Sequence, residues 1–225
     1  MNAEDPLLNS DLDASFRAAH QALRSLIPPE TLTVGDDADL QDVVDDLEQL
    51  VDLARENAAA VLGPTITWAG SKPSGDPWSS VTLQADLDGR VHDDPPGLSD
   101  FGEWPSSALA RASRAYRREC AWDHAPGEAG IWLLSVAPYK CLALGERAHW
   151  TGTITGFVIL HDRDGDAEYE SLAHIWTAQA WRRRGVAGNL VREASKRFSV
   201  SRAEGPATDG GRLLLEACAP ALLND

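Results

Sequence analysis

The sequence predicts a fold of the α/β class, with strands and helices around one sheet and a helical N-terminal extension. Three observations carry that expectation. Residues 171–198, SLAHIWTAQAWRRRGVAGNLVREASKRF, read as a strand, a tight basic loop and an amphipathic helix. Residues 153–160 and 169–177 are two β-type runs separated by an Asp-Gly pair, a hairpin signal. Residues 40–62 carry one long apolar stripe at helical spacing.

In chain order, residues 1–10 read as a loose tail. Asp11 to Leu26 repeats apolar residues with a helical period, and Pro28-Pro29 stops it. Residues 30–39 form an acidic link with Asp36, Asp37 and Asp39 as candidate caps. From Leu40 to Leu62, the positions Leu40, Val43, Val44, Leu47, Leu50, Val51, Ala54, Ala58 and Val61 form a stripe suited to packing on the domain or in a homodimer. Gly63-Pro64 ends that helix. Thr65–Ala69 and Ser79–Asp86 read as short strands around a loop, and Asp88-Gly89 as a turn. Residues 93–105, rich in Asp, Pro and Gly, read as a long loop. Pro105 then opens a helix to about Cys120, because proline suits the first helical position.

Ile131–Val136, Lys140–Gly145 and Thr153–Leu160 read as three strands. Asp164-Gly165 predicts a type I′ turn, which needs positive φ at both central residues. After the helix, Val200–Glu204 reads as a last strand and Gly205-Pro206 as a turn. Thr208 caps a final helix with Leu213, Leu214, Ala217 and Cys218 inward. The expected division is residues 1–100 as a helical extension with short strands and residues 101–225 as the core.

Composition excludes several classes. Hydrophobic residues make up 43%, enough for a packed core. The net charge of −15 argues against nucleic-acid binding and suits a cationic substrate or plain solubility. No apolar run is long enough to span a membrane, and the acidic N-terminus lacks a signal-peptide pattern. Three scattered cysteines form neither a disulfide framework nor a metal spacing, so a reducing cytoplasm is expected. Asp162, Asp164, Asp166 and Glu168 resemble a calcium ladder, but the glycine falls at the wrong place. No metal is expected. The eight tryptophans are many for this length; they suit core packing, and some suit an acceptor pocket for a cationic amine.

The basic loop carries the chemistry. A helix start leaves backbone N–H groups unpaired and partially positive, small residues let an anion approach, and arginines add bidentate donors. Arg182, Arg183, Arg184, Gly185, Val186, Ala187 and Gly188 therefore read as a phosphate or pyrophosphate cradle, with a solvated strand–helix corner as the plainer alternative. Neither the dinucleotide fingerprint nor a P-loop is present.

Arg182-Arg183-Arg184-Gly185-Val186-Ala187 resembles the R/Q-x-x-G-x-G/A loop of the GNAT N-acetyltransferase superfamily. Trp181 before the loop, Leu190 in the helix and Thr177 at the strand end extend the likeness over about residues 150–200. The resemblance implies a GNAT-like mixed, mainly antiparallel sheet flanked by helices. It implies acetyl-CoA as co-substrate, with Ile175, Trp176 and Thr177 along the pantetheine and residues 182–188 on the pyrophosphate. It also implies a small-molecule or peptide amine as acceptor.

The family's catalytic pattern is incomplete here. Its usual base positions fall on Ser171 and Ala173, which are not bases. Glu170 and His174 are the nearest titratable residues and become the candidate catalytic pair. Strand alternation turns both to the other face unless a bulge re-aims one. The last helix has no tyrosine to act as acid, which leaves a water relay or a residue reaching in from earlier in the chain. The final strand pair usual in the family is missing before Asp225, so the N-terminal part completes the sheet or the fold is shorter. A catalytically inactive GNAT-fold binding or structural protein is the alternative expectation.

Overall fold

A computed structural model describes residues 40–70, 79–87, 103–123, 125–127, 129–144, 147–205 and 208–223. Several expected features lie outside the described residues. They are the tail, the Asp11–Leu26 helix, the 30–39 link, the 71–77 loop, the Asp88-Gly89 turn, Trp78, Gly145, Pro206 and residues 93–102 of the long loop. The chain divides into two compact units, residues 1–55 and 56–225.

Helix α1, Leu40–Leu62, runs across that division. In its last three turns the buried residue is Ala59, and Ala60 packs against the core, whereas Val51 and Val61 of the expected stripe are exposed. The reason is local. Gly63 follows with φ +92° and its N–H donates to the Ala59 carbonyl at 3.0 Å. A Cβ at Gly63 would stand 1.9 Å from the Ile154 carbonyl oxygen. The helix end therefore sits directly on a strand backbone, and alanines permit that approach. A Gly63→Ala variant is expected to lose about 2 kcal/mol or more of stability. A denaturant midpoint equal to wild type would show that the helix end does not need this contact.

Among the described residues the sheet has six strands. They are β1 Thr65–Gly70, β2 Val81–Asp86, β3 Ile131–Leu144, β4 Arg147–His161, β5 Ser171–Thr177 and β6 Arg202–Ala203. The order is β2-β3-β4-β5-β6, with β1 added to the first half of β4. Every pairing is antiparallel except β5 with β6. Neither N-terminal strand joins beside β6; both enter the sheet elsewhere.

Two expected strands, 131–136 and 140–145, are one. Register shifts leave Thr155 of β4 extra opposite Ser135/Val136 and Tyr139 of β3 extra after Pro138, so the ladder runs on past a proline that sits beside a bulge, a place where a strand tolerates it. Period-two alternation then sorts the core. Trp132, Leu134, Phe157 and Ile159 face one side; Ile131, Leu133, Val158 and Leu160 face the other.

Helix α2, Ala108–Cys120, covers the first side with Leu109, Ala112, Ala115 and Tyr116. Pro105 lies in a short 3₁₀ turn, Trp104–Ser106, rather than opening the helix. Ser107 is the cap, accepting from the Ala110 N–H at 3.0 Å. Helices α3, Val186–Arg197, and α4, Asp209–Cys218, cover the second side through Leu190, Val191, Ala194 and Leu215. The expected inward set on α4 is corrected. Leu213 is 58% exposed and Ala217 is exposed, and Leu215 points inward instead.

The β4–β5 connection is also corrected. It spans residues 162–170, and positive φ occurs at Gly165 and Ala167, not at two adjacent residues. A type I′ turn is excluded because Asp162 organises a wider loop. Its carboxylate accepts from the N–H groups of Gly165 at 2.7 Å and Ala167 at 3.0 Å. Asp162, Asp164 and Asp166 approach within 4.8 Å, and each accepts from amides of this same turn. Among the described residues no helix is long and apolar enough to cross a membrane.

Candidate functional site

The site begins where β5 and β6 part. They pair only at Ser171–Arg202 and Leu172–Ala203, and the Glu204 N–H closes the last bond to the Leu172 carbonyl at 2.9 Å. Beyond that point β5 continues alone on this edge. A pocket of about 40 Å³ fills the fork, walled by Leu172, Ala173, Ile175, Ala203, Glu204 and Leu215. It adjoins a cleft of about 860 Å³ that shares Tyr116, Ile175 and Thr208 with it.

The cleft brings together most of the loop residues expected to hold a cofactor. Ile175, Trp176 and Thr177 line it, as do Arg182, Arg183, Gly185, Val186, Ala187 and Gly188. Arg184 does not; its guanidinium lies over the Trp181 ring at 5.3 Å. Gly185 is the N-cap of α3 with φ +80°, so it supplies no side-chain acceptor for the first-turn amides. A Cβ at Gly185 or Gly188 would meet nothing within 4 Å, so the space over the helix start is open. Arg183 holds a left-handed φ of +59°, rare for a residue with a side chain. The Thr177 hydroxyl oxygen is buried and has no partner among the described residues. Open amides, an orphaned hydroxyl and clear space at a helix start are what a phosphate-bearing ligand requires.

The two candidate catalytic residues are not brought together. Glu170 precedes β5 and binds Arg202 at 2.7 Å. His174 lies on the face of α2, with Nδ1 3.4 Å from the Tyr116 hydroxyl and its ring against Trp122. Neither lines the cleft or the fork pocket. The separation comes from a register shift. Leu160 pairs with Leu172 and Ile159 with His174, so Ala173 is an extra residue in β5. The extra residue changes the alternation: Leu172 and Ile175 join the α3–α4 side, while Trp176 joins the α2 side, where His174 meets Tyr116.

Sequence reading did not reach three further residues that line the cleft, Tyr116, Glu119 and Cys120 of α2. Their spacing of three, one and four is an ordinary helix face. Only the fold places that face against the basic loop. Two hydroxyls are common to both cavities, that of Thr208, which caps α4, and that of Tyr116. Burial, and then Cys120, hold its pKa well above the usual range, so it stays protonated. Burial pushes the Cys120 thiol up as well.

Behind Tyr116, burial and then the charge of His161 lower the pKa of His174 from 6.5 to about 4, leaving it neutral near pH 7. Burial works to raise Glu204, but hydrogen bonds from Arg163 and Ser171 outweigh it and bring the carboxyl down to about 2. The folded pKa of His174 lies below its unfolded value, so folding disfavours the imidazolium. Its contribution to stability is complete above about pH 6.5 and is lost as pH falls toward 4. A His174→Gln variant is expected to flatten the decline of the urea midpoint across that window. Parallel curves for variant and wild type would clear His174 as the cause.

No curated protein matches the chain in sequence. Residues 103–201 match the family model described as Acetyltransferase (GNAT) family. That span holds α2, β3, β4, the bulged β5, the basic loop and α3, and thus the cleft's lining apart from residues 208–214 at α4. Residues 103–201 of this chain form a domain of the acetyltransferase (GNAT) family.

Proposed function

We propose that the domain transfers an acetyl group from acetyl-CoA to an amine on a small molecule or peptide. The observation that carries this reading is the cleft itself, which joins an uncapped helix start to the fork of two parallel strands. The first-turn amides of α3 and Arg183 would hold the pyrophosphate, and Ile175–Thr177 would flank the pantetheine. Acetyl-CoA supplies the thioester. In the transfer a C–N bond forms, the C–S bond breaks, the amine loses a proton and the departing thiolate gains one. Tyr116, which lines both cavities, is the donor for that thiolate. Neutral His174 stands against the Tyr116 hydroxyl and orients it. Three free cysteines suit a cytoplasmic setting for this chemistry.

Thermal unfolding with acetyl-CoA, and separately with CoA, tests the reading. Ligand at about 100 times its dissociation constant stabilises by about 2.7 kcal/mol. A rise in Tm followed by thiol release with one amine of a panel supports it, and no rise with either ligand overturns it. A GNAT-fold binding protein without turnover is the second reading. It is favoured by the position of Glu170 and His174 outside the cavity walls. Thiol release with any amine ends that reading.

A further inference from the structure

One carboxylate ties three pieces of the cleft wall together. Glu119 stands in the last turn of α2 with its side chain 18% exposed. Its Oε1 accepts from Gln179 Nε2 at 3.2 Å. Its Oε2 accepts from the Trp176 indole Nε1 at 3.1 Å and from the Arg182 guanidinium. These donors come from the end of β5, the turn after it and the first residue of the basic loop. Arg182 also donates from Nε to the Thr177 carbonyl at 3.1 Å. Two sides of its guanidinium are therefore committed to protein acceptors. Arg183, the next residue, lines the cleft and has no hydrogen-bond partner among the described residues.

We propose that Glu119 is the positioning residue of the anion loop: it clamps Arg182 to the strand end, so that the loop amides and Arg183, not the Arg182 charge, meet the diphosphate of the ligand. The proposal rests on the acetyl-CoA reading. The planar guanidinium fork is rigid and loses little freedom per bond, so it suits a clamp. Removing Glu119 leaves an indole N–H, a carboxamide and a guanidinium without their shared acceptor, and the loop loses its tie to α2. Simple Coulomb reasoning predicts the opposite sign. A carboxylate near an anion site repels the anion, and deleting it would tighten binding. The sign of the effect therefore separates a clamp from a competitor.

The test uses Glu119→Ala and Glu119→Gln in the full chain. Amide hydrogen exchange over residues 179–188 is read in the free protein. Affinity for CoA, and for S-acetylpantetheine, which lacks the diphosphate, is read by calorimetry. A clamp predicts exchange about tenfold faster or more in that segment of Glu119→Ala, with the rest of the domain unchanged. It also predicts CoA binding weaker by about tenfold or more and acetylpantetheine binding unchanged. Glu119→Gln, which keeps one acceptor oxygen, falls between, and it carries the test alone should the alanine variant not fold. Unchanged exchange, tighter CoA binding, or equal weakening of both ligands overturns the proposal. Faster loop exchange in a protein whose wild type binds no CoA leaves the clamp standing and sinks the acetyl-CoA reading instead.

Discussion

Replacing Arg183 and Gly185 together with glutamate is expected to weaken acetyl-CoA binding by about 10²–10⁴-fold. Arg183 lines the cleft at the start of α3, and Gly185 caps that helix over open space. A charge-assisted hydrogen bond to phosphate contributes about 1.5–3 kcal/mol, so losing two such interactions costs about 3–6 kcal/mol. The new carboxylates also oppose the positive end of the helix dipole. Gly185 has φ +80°, so a side chain there strains the loop as well. Arg183→Glu alone separates the two causes, since it alters charge at a position where a side chain already tolerates a left-handed backbone. Isothermal titration with acetyl-CoA reads the result. Affinity within threefold of wild type for the double variant would remove the loop from the binding site.

Tyr116→Phe is expected to lower kcat by about 100-fold with the affinity for acetyl-CoA nearly unchanged. The hydroxyl is the only difference, and the ring contacts with Phe157 and Trp122, at centroid distances of 5.7 Å and 4.9 Å, remain in the variant. A loss confined to kcat marks an interaction made only in the transition state. Under the second reading, with no turnover to lose, the variant differs from wild type in neither binding nor stability by much. Equal kcat in variant and wild type would assign the proton to another group, with Cys120 the next candidate on the same wall of the cleft.

Much of the fold was legible because it depends on local pattern. The alternation of apolar residues through 131–136 and 153–160 sends side chains to both faces of a sheet covered on both sides, and the structure shows these as the central strands. Gly63 and Thr208 mark helix ends by chemistry that a sequence displays directly, a glycine past the last turn and a hydroxyl cap. The basic loop was legible for the same reason. Small residues after arginines at a strand–helix junction leave amides open wherever that junction sits.

Other features depend on partners distant in sequence. The stripe on α1 has helical spacing, yet the face that packs is set by how closely Gly63 approaches Ile154, and Val61 stays outside. The type I′ turn lost to Asp162, whose carboxylate takes amides three and five residues on. His174 and Glu170 share a face in a regular strand, but the extra residue at Ala173 is a matter of register against β4, which no single strand specifies.

The sequence by itself determined the class of fold and a strand–loop–helix junction of arginines and small residues at 182–188, since periodicity and backbone chemistry act over a few residues. Only the tertiary structure decided what faces that junction. It brought Tyr116, Glu119 and Cys120 into the cleft beside the loop, committed Arg182 to Glu119 and left His174 outside the lining. Those placements follow from helix packing on the sheet and from strand register, which set distances between residues about 60 positions apart in the chain.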